Sequence, residues 1–291
     1  MHGVGEATAA ITIVNALPTG IGAAVGIGLR TRVEVTLVRS GSGRRSEPTV
    51  RPADSSTPLV LVALATSVGR LAPDGVAAAG LTVRTDIPSG VGLKSSSAVT
   101  SAIVLAVANA VGRTLSPTDI ARSSAEIGRA TGVSATGAFD DALAGLVGGV
   151  VLTDNRQDRL LHAFGVDPGL AVALWIPPGT HPPAPDARTR FTPEPPRARA
   201  AVEAARAERP WEAMELNSAL VEEAMGYSYR GLRERLRGRG AVGSGASGLG
   251  PAFAAVGPRE RIGELLAELP ASPGRRCSVD FSSNGAAGGL P

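Results

Sequence analysis

The sequence contains very little lysine, cysteine or histidine. Only Lys94 among its 29 basic residues is a lysine, and one cysteine and three histidines occur in 291 residues. One cysteine excludes an internal disulfide framework, and so few cysteines and histidines exclude a zinc cluster within one chain. A single cysteine also fits the reducing cytosol, so we expect a cytoplasmic protein. Because arginine is the general cation of this chain, the lone lysine marks a position to examine.

Long apolar runs and aromatic residues are also scarce. No apolar run reaches the ~18 residues of a membrane span, and the N-terminal segment lacks the basic start of a secretory signal. A pI of about 9.7 and the arginine-rich segment 230–240 leave a nucleic-acid-binding module as an alternative. Aromatic residues make up only 3% of the chain, acidic residues interleave most arginine runs and no RNA-binding motif occurs. We therefore predict no nucleic-acid partner.

Strand and helix patterns occur in both halves of the chain. Residues 31–38 alternate apolar and polar side chains, as a half-buried strand does, and a glycine-rich link at 15–28 precedes them. Ser116-Pro117 is a typical helix start, because a capping hydroxyl is followed by proline. The proline-rich segment 177–196 is expected to be an extended loop. The mixture indicates an α+β fold with two lobes and a boundary near 155–168.

The most informative stretch lies between a predicted strand and a predicted helix. It consists of Pro88, Ser89, Gly90, Val91, Gly92, Leu93, Lys94, Ser95, Ser96, Ser97 and Ala98. Glycines let the backbone approach a ligand closely, and successive N–H groups at a helix N-terminus form an anion site. Serine hydroxyls can donate to phosphate oxygens or bind Mg²⁺, and Lys94 adds a positive charge. The spacing is not that of a Walker A loop, and a helix cap without a ligand is the alternative.

Two adjacent carboxylates, Asp140 and Asp141, interrupt a run of small and apolar residues. Like charges this close repel each other, so they need a cation, a helix N-terminus or hydrogen-bond donors nearby. Adjacent side chains point in different directions, so we expect only one of them to face a reacting group. A solvated helix N-terminus, where acidic residues are favoured by the helix dipole, is the alternative interpretation.

Three segments resemble the motifs of the GHMP small-molecule kinases, in the family's order. P-S-G-V-G-L-K-S-S-S-A is similar to that family's P-x-x-x-G-L-x-S-S-A phosphate loop, 11–35 to its first motif and 243–257 to its third. Within the superfamily the closest likeness is to the archaeal-type shikimate kinases. It is carried by VNALPTGIGAAVGI, GLKSSSA, and TGAFDDA followed by GGVVLTDN.

The resemblance implies a two-lobed GHMP kinase fold. The first lobe would be like ribosomal protein S5 domain 2 and the second would be ferredoxin-like, with the active site between them. We assign residues 1–160 to the N-terminal, ATP-binding domain and residues 161–291 to the C-terminal domain.

The resemblance also implies roles for ligand-binding residues. The phosphate loop, together with Gly243, Ser244 and Gly245 of the third motif, would hold ATP. Ser96 and Glu126 would bind Mg²⁺, although an exposed helix carboxylate is an equal interpretation of Glu126. Asn15 and Thr19 would lie at the substrate pocket, unless they only form a turn.

The two aspartates receive different roles from two ways of aligning them. Likeness to the S-G-x-D-N-A motif of mevalonate kinase-like members places Asp140 on the catalytic aspartate. Counting back from Gly148-Gly149 favours Asp141 instead. Our interpretation from the sequence makes Asp140 the base, or the charge that orients the hydroxyl. Asp141 is then a substrate ligand or a supporting residue.

The activity implied is ATP-dependent phosphorylation of the 3-hydroxyl of shikimate, a step toward chorismate and the aromatic amino acids. Pantoate and homoserine stay open as acceptors, because kinases of this superfamily share the phosphate-binding machinery. The sequence leaves open the oligomeric state and the arginine that would bind the substrate carboxylate.

Overall fold

A computed structural model of the chain describes residues 1–39, 57–181, 186, 189–193 and 195–282. Within these residues the chain forms two antiparallel sheets with helices packed against them. The expected α+β fold is therefore confirmed. None of the described helices combines the length and apolar character needed to cross a bilayer. Part of the proline-rich segment 177–196 lies outside the described residues.

The first sheet is built on a long hairpin of β1 (His2–Val14) and β2 (Ile21–Arg39). The C-terminal half of β2 pairs with β3 (Val76–Thr85), and its first residues pair with β4 (Val150–Asp154). β4 in turn pairs with β5 (Arg159–Phe164). The long β2 strand thus connects every other strand of this sheet except β5.

The glycine-rich link expected at 15–28 is largely strand, so that prediction was wrong from Ile21 onward. Glycine is present there because other elements pack very close to the strand. A Cβ on Gly22 would lie 2.5 Å from Asp140 Oδ2, and one on Gly26 would lie 2.6 Å from the Ala144 carbonyl oxygen. The glycines therefore provide space for the following helix rather than a turn.

Four helices accompany the first sheet. They are α1 (Pro58–Leu71), α2 (Ser95–Ala110), α3 (Pro117–Ala130) and α4 (Phe139–Val147). α2 is almost wholly apolar, packs on β1 and β2 and is flanked by α1 and α3. The predicted start of α3 is confirmed, because the Ser116 side chain accepts a hydrogen bond from Asp119 N at 3.1 Å.

The second sheet has the strand order β7 (Gly243–Ala246), β8 (Phe253–Pro258), β6 (Leu170–Ile176), β9 (Arg275–Val279). The helices that follow β6 are α5 (Pro196–Arg206), α6 (Pro210–Met225), α7 (Arg230–Gly238) and α8 (Ile262–Glu268). The proposed domain boundary at residue 160 falls inside β5, which belongs to the first sheet. The change from one sheet to the other occurs between Phe164 and Leu170.

The chain returns to the first sheet at its described end. Ile27 of β2 forms an isolated antiparallel bridge with Phe281. Gly28 N donates to Asp280 O at 2.9 Å, and Ser282 N donates to Gly26 O at 2.9 Å. These backbone hydrogen bonds join the segment after β9 to the middle of β2, so the β9 edge of the second sheet is tied to the first sheet.

The close packing of α2 on β1 generates a stability prediction. A Cβ on Gly5 would lie 2.1 Å from the Ala102 carbonyl oxygen and 2.6 Å from Ala106 N, both in the α2 backbone. Backbone cannot rotate away as a side chain can, so Gly5→Ala should lower the free energy of unfolding by about 1–3 kcal/mol. Urea denaturation monitored by circular dichroism measures this loss.

Gly80→Ala is the matched control for that substitution. Gly80 is also a strand glycine, in β3, but nothing lies within 4 Å of the position its Cβ would take. Its substitution should leave the unfolding midpoint nearly unchanged. Equal midpoints for the Gly5 and Gly80 variants would contradict the packing argument.

Candidate active site

The glycine- and serine-rich segment before α2 forms a loop whose backbone requires unusual dihedral angles. Gly90 and Gly92 have φ values of +71° and +90°, and Lys94, the residue before α2, has φ +67°. A non-glycine residue in this left-handed region is uncommon and costs free energy, and such residues concentrate at functional sites. Lys94 supplies no side-chain hydrogen bond to the first turn of α2. Its side chain is instead directed to Asp141.

The start of α4 repeats this geometry. Ala138 precedes the helix with φ +54° and offers no side-chain cap. Asp140 and Asp141 lie in the first turn of α4, where the helix dipole favours negative charge. Two helix N-termini, those of α2 and α4, therefore border the same cavity.

Three sequence motifs meet at Ser247, which is fully buried. Its hydroxyl donates to Gly92 O at 2.7 Å and accepts from Thr12 N at 3.2 Å. The Thr12 hydroxyl in turn accepts from Gly248 N at 2.8 Å. A Cβ on Gly92 would lie 2.0 Å from Ser247 O, so only glycine fits at this crossing. These contacts tie β1, the phosphate loop and the loop after β7 into one wall.

A cavity of about 400 Å³ opens between these loops. Its wall combines the end of β1, the phosphate loop, the segment before α4 and the loop after β7. The lining residues are Thr12, Asn15, Ala16, Leu17, Gly90, Gly92, Leu93, Lys94, Ser95, Ser96, Ser97, Gly132, Val133, Ser134, Ala135, Thr136, Ala138, Asp140, Asp141, His181, Gly248 and Leu249. Among these described residues Lys94 is the only lysine or arginine.

Lys94 and Asp141 form an ion pair across the cavity wall. Lys94 Nζ lies 3.0 Å from Asp141 Oδ1, and the two side chains are only 9% and 13% exposed. A Cβ on Gly248 would lie 3.1 Å from the same ammonium nitrogen, so Gly248 leaves room for it. The ammonium is thus enclosed between a carboxylate and the glycine loop of the second sheet.

Asp140 has different partners from its neighbour. It is 4% exposed, and its Oδ1 accepts a hydrogen bond from Asn155 Nδ2 at 2.7 Å. The side-chain oxygen Oδ1 of Asn155 accepts from the Thr153 hydroxyl at 2.6 Å. Asp140 Oδ2 lies over Gly22 of β2. Both oxygens of Asp140 therefore face the first sheet, whereas Asp141 faces the lysine.

The two carboxylates have perturbed acidities. Burial, followed by the nearby charge of Asp141, raises the pKa of Asp140 to about 7, while Lys94 and the Asn155 hydrogen bond oppose that rise. Burial also raises the pKa of Asp141, and the charge of Lys94 opposes this rise. A carboxyl group that titrates near neutral pH beside a cation is a common feature of acid–base sites.

Part of the predicted site lies together at the cavity. The residues brought there are Asn15, Gly90, Gly92, Leu93, Lys94, Ser95, Ser96, Ser97, Asp140 and Asp141. Ser89 contacts Ser95 through their hydroxyls at 3.4 Å, and Val91 and Ala98 are buried supports of the loop. Neither these three nor Pro88 lines the cavity.

Other predicted residues lie away from the cavity. Gly243, Ser244 and Gly245 form strand β7 and are buried there. Gly243 and Gly245 pack closely against α6. Thr19 Oγ1 accepts from Ile21 N at 3.1 Å, so it forms a turn. Glu126 is about half exposed and forms an ion pair with Arg70 of α1.

Several residues at the site were not identified from the sequence. They are Thr12, Thr153, Ser247, Gly248, His181 and the segment 132–136. Asn155 ends the G-G-V-V-L-T-D-N stretch that carried the family likeness, so the sequence did offer a signal by which this residue could have been identified. Thr12 lies in the first motif and Ser247 and Gly248 lie in the third, but nothing in the sequence distinguished these residues from their neighbours within the motifs.

Comparisons with known proteins place the chain in a family. Residues 59–149 match the family model described as GHMP kinases N terminal domain. The chain is 36% identical over 261 residues to the shikimate kinase of Thermococcus kodakarensis, covering 89% of this chain and 94% of that protein. It is 34% identical over 276 residues to the shikimate kinase of Archaeoglobus fulgidus, covering 93% and 89%.

Solved structures show the same fold at lower identity. Homoserine kinase from Cytophaga hutchinsonii superposes with a TM-score of 0.71 at 18% identity, covering 97% of this chain and 96% of that one. Methanococcus jannaschii mevalonate kinase gives a TM-score of 0.71 at 14% identity, covering 97% and 99%. The fold is therefore that of the GHMP kinases. Together with the identities to full-length relatives, this shows that the chain belongs to the GHMP kinase superfamily, in the group of archaeal-type shikimate kinases.

Proposed function

We propose that this protein is a shikimate kinase, which transfers the γ-phosphoryl group of ATP to the 3-hydroxyl of shikimate. One observation carries the proposal: a single cavity joins a glycine-serine cradle, the one lysine of the chain and a pair of buried carboxylates. Relatives named shikimate kinase at 34–36% identity over most of the chain support the acceptor. A cytoplasmic location fits both the single cysteine and the use of ATP.

The cradle fits a polyphosphate. Side chains at Gly92 and Gly248 would fill the space beside Lys94 and Ser247, and both positions are glycine. The N-terminus of α2 and the hydroxyls of Ser95, Ser96 and Ser97 border the cavity. Backbone N–H groups and hydroxyls at a helix N-terminus bind phosphate oxygens. These residues would hold ATP, which supplies the transferred phosphoryl group when bound.

A magnesium ion fits the same place through fewer protein ligands. Ser96 lines the cavity and carries a hydroxyl, and Mg²⁺ beside nucleotides commonly uses one or two protein groups with phosphate oxygens and water. When bound, the ion neutralises negative charge on the phosphates. Glu126 joins Ser96 in this proposal only if it leaves its ion pair with Arg70.

Asp141 is the better placed of the two carboxylates to receive the hydroxyl proton. It contacts Lys94, the cation of the phosphate loop, so it lies where the phosphoryl donor and the acceptor must meet. Asp140 has one oxygen bound by Asn155 and the other over Gly22. We therefore assign proton acceptance to Asp141, and to Asp140 the role of a second negative charge that makes its neighbour more basic.

The choice of acceptor is tested by an assay of ATP turnover with shikimate, pantoate and homoserine. We expect turnover with shikimate that exceeds the other two by at least about 10³-fold in kcat/KM, because an acceptor lacking the matching hydroxyls leaves buried polar groups unpaired. Robust turnover with pantoate or homoserine and none with shikimate would overturn the assignment of shikimate as the acceptor. The assignment of the phosphate-binding site would stand.

The roles of the carboxylates are tested by Asp141→Asn and Asp140→Asn. Loss of the proton acceptor should lower kcat by about 10²- to 10⁴-fold for Asp141→Asn. Asp140→Asn keeps an oxygen for the Asn155 amide, so the expected loss is roughly tenfold. ATP binding, measured by calorimetry, should persist in both variants. A large loss for Asp140→Asn and a small one for Asp141→Asn would exchange the two roles.

The acidity of the pair predicts the pH dependence. Because the pKa of Asp140 lies at about 7, the pair binds a proton below that pH and loses the negative charge that assists proton acceptance. Thus kcat/KM for shikimate, which reports the free enzyme, should fall as the pH decreases through about 7. This acid limb of the pH profile should be absent in Asp140→Asn, which has no carboxyl group to titrate at that position. A profile that stays flat down to about pH 5.5 would contradict the assignment.

A further inference from the structure

We propose that Asn155 is a positioning residue of this site, which holds the Asp140 carboxylate toward the first sheet and so leaves Asp141 alone to engage Lys94. The inference rests on the proposed function, in which Asp141 accepts the proton. It adds a residue that does not itself line the cavity and acts on it through Asp140. It also explains how two neighbouring aspartates acquire different partners.

Asn155 is fixed on three sides. It follows β4 directly, is 3% exposed, and its backbone N–H donates to Gly20 O at 2.9 Å. Its side-chain oxygen accepts from the Thr153 hydroxyl, which fixes the orientation of the amide. The amide nitrogen is therefore directed to Asp140 Oδ1, at 2.7 Å. A buried amide with both ends bonded has no freedom to turn toward another group.

The groups around Asp140 show what that hydrogen bond does. From its own helix Asp140 faces Asp141, from the start of α2 it faces Lys94, and from β2 it faces Gly22, which has no titratable group. Without the Asn155 donor, the cation at Lys94 and the backbone N–H of Asp141 would be the remaining attractions for the Asp140 carboxylate. The amide therefore separates the two carboxylates by giving each a different donor.

The substitution Asn155→Leu tests this inference because leucine is similar in size and cannot donate. An amide donor to a carboxylate favours the charged form, so its loss should raise the pKa of Asp140. The acid limb of kcat/KM should move upward by about one pH unit, which makes the variant about threefold slower at pH 7 and closer to the native enzyme at pH 9. In an Asp140→Asn background the same substitution should cause no shift.

Stability gives a second readout that needs no activity. A pKa above that of the unfolded chain stabilises the fold at low pH, and this contribution is lost as the pH rises through the folded value. In the native protein this stabilisation by protonated Asp140 should be almost fully lost by about pH 7. In Asn155→Leu, where the pKa of Asp140 is expected to be higher, the loss should continue above about pH 7. The melting-temperature difference between the two should therefore widen from about pH 6 to about pH 8.5.

Two further variants make the result decisive. Asn217→Leu removes an equally buried amide, 1% exposed, whose oxygen accepts from Asn15 N, and it should lower the melting temperature by the same amount at every pH. Thr153→Val removes the hydroxyl that orients the Asn155 amide. It should shift the acid limb in the same direction as Asn155→Leu but by less, and it replaces that variant as the test if Asn155→Leu does not fold.

The outcomes separate this inference from the proposed function. Turnover of shikimate with no shift in either the pH profile or the melting-temperature difference would overturn the role of Asn155 alone. No turnover of any acceptor, together with the widening melting-temperature difference, would support Asn155 and overturn the kinase assignment.

Discussion

The ion pair between Lys94 and Asp141 is the interaction on which the site depends. It links the first residue before α2 to the first turn of α4, and both side chains are nearly buried. Buried ion pairs contribute little net stability, because removing two charges from water is costly. Lys94 also holds a left-handed backbone conformation that glycine would adopt more easily. Stability alone does not account for a charged residue at such a position, which supports the ligand-binding role proposed for Lys94.

The phosphate loop and the loop after β7 enclose this ion pair. Glycine at 92 and at 248 lets the phosphate loop and the loop after β7 meet beside the ammonium group. Ser247 and Thr12 hold these loops by hydrogen bonds across the two sheets. The second sheet therefore reaches the site through the loop after β7 and through His181, which follows β6 and lines the cavity. No residue of strand β7 itself lines the cavity.

The sequence predicted the chemistry of the site better than its architecture. The lone lysine, the serines after it and the two aspartates could be identified because glycine, charge and helix-start signals are local. The strand within 15–28 could not, because its glycines were interpreted as a link between two strands although they provide room for Asp140 and α4. Within the third motif, Gly243, Ser244 and Gly245 were expected at the ligand because glycines packed against a helix resemble glycines around a ligand. The cavity is bordered instead by Gly248 and Leu249 of the same motif. Thr12 and Ser247 became visible only once β1 and the loop after β7 were seen in contact.

Two adjacent aspartates in one helical turn also show how a fold assigns roles that composition cannot. In the sequence they are equivalent, and alignment arguments favour one or the other according to the anchor chosen. In the structure each has its own donor: a lysine for Asp141 and an amide for Asp140. Burial raises the pKa of both carboxyl groups. The Lys94 cation opposes that rise at Asp141, whereas Asp140, which also accepts a hydrogen bond from the Asn155 amide, reaches a pKa of about 7. Different donors thus place one carboxylate beside the lysine of the phosphate loop and the other against the first sheet.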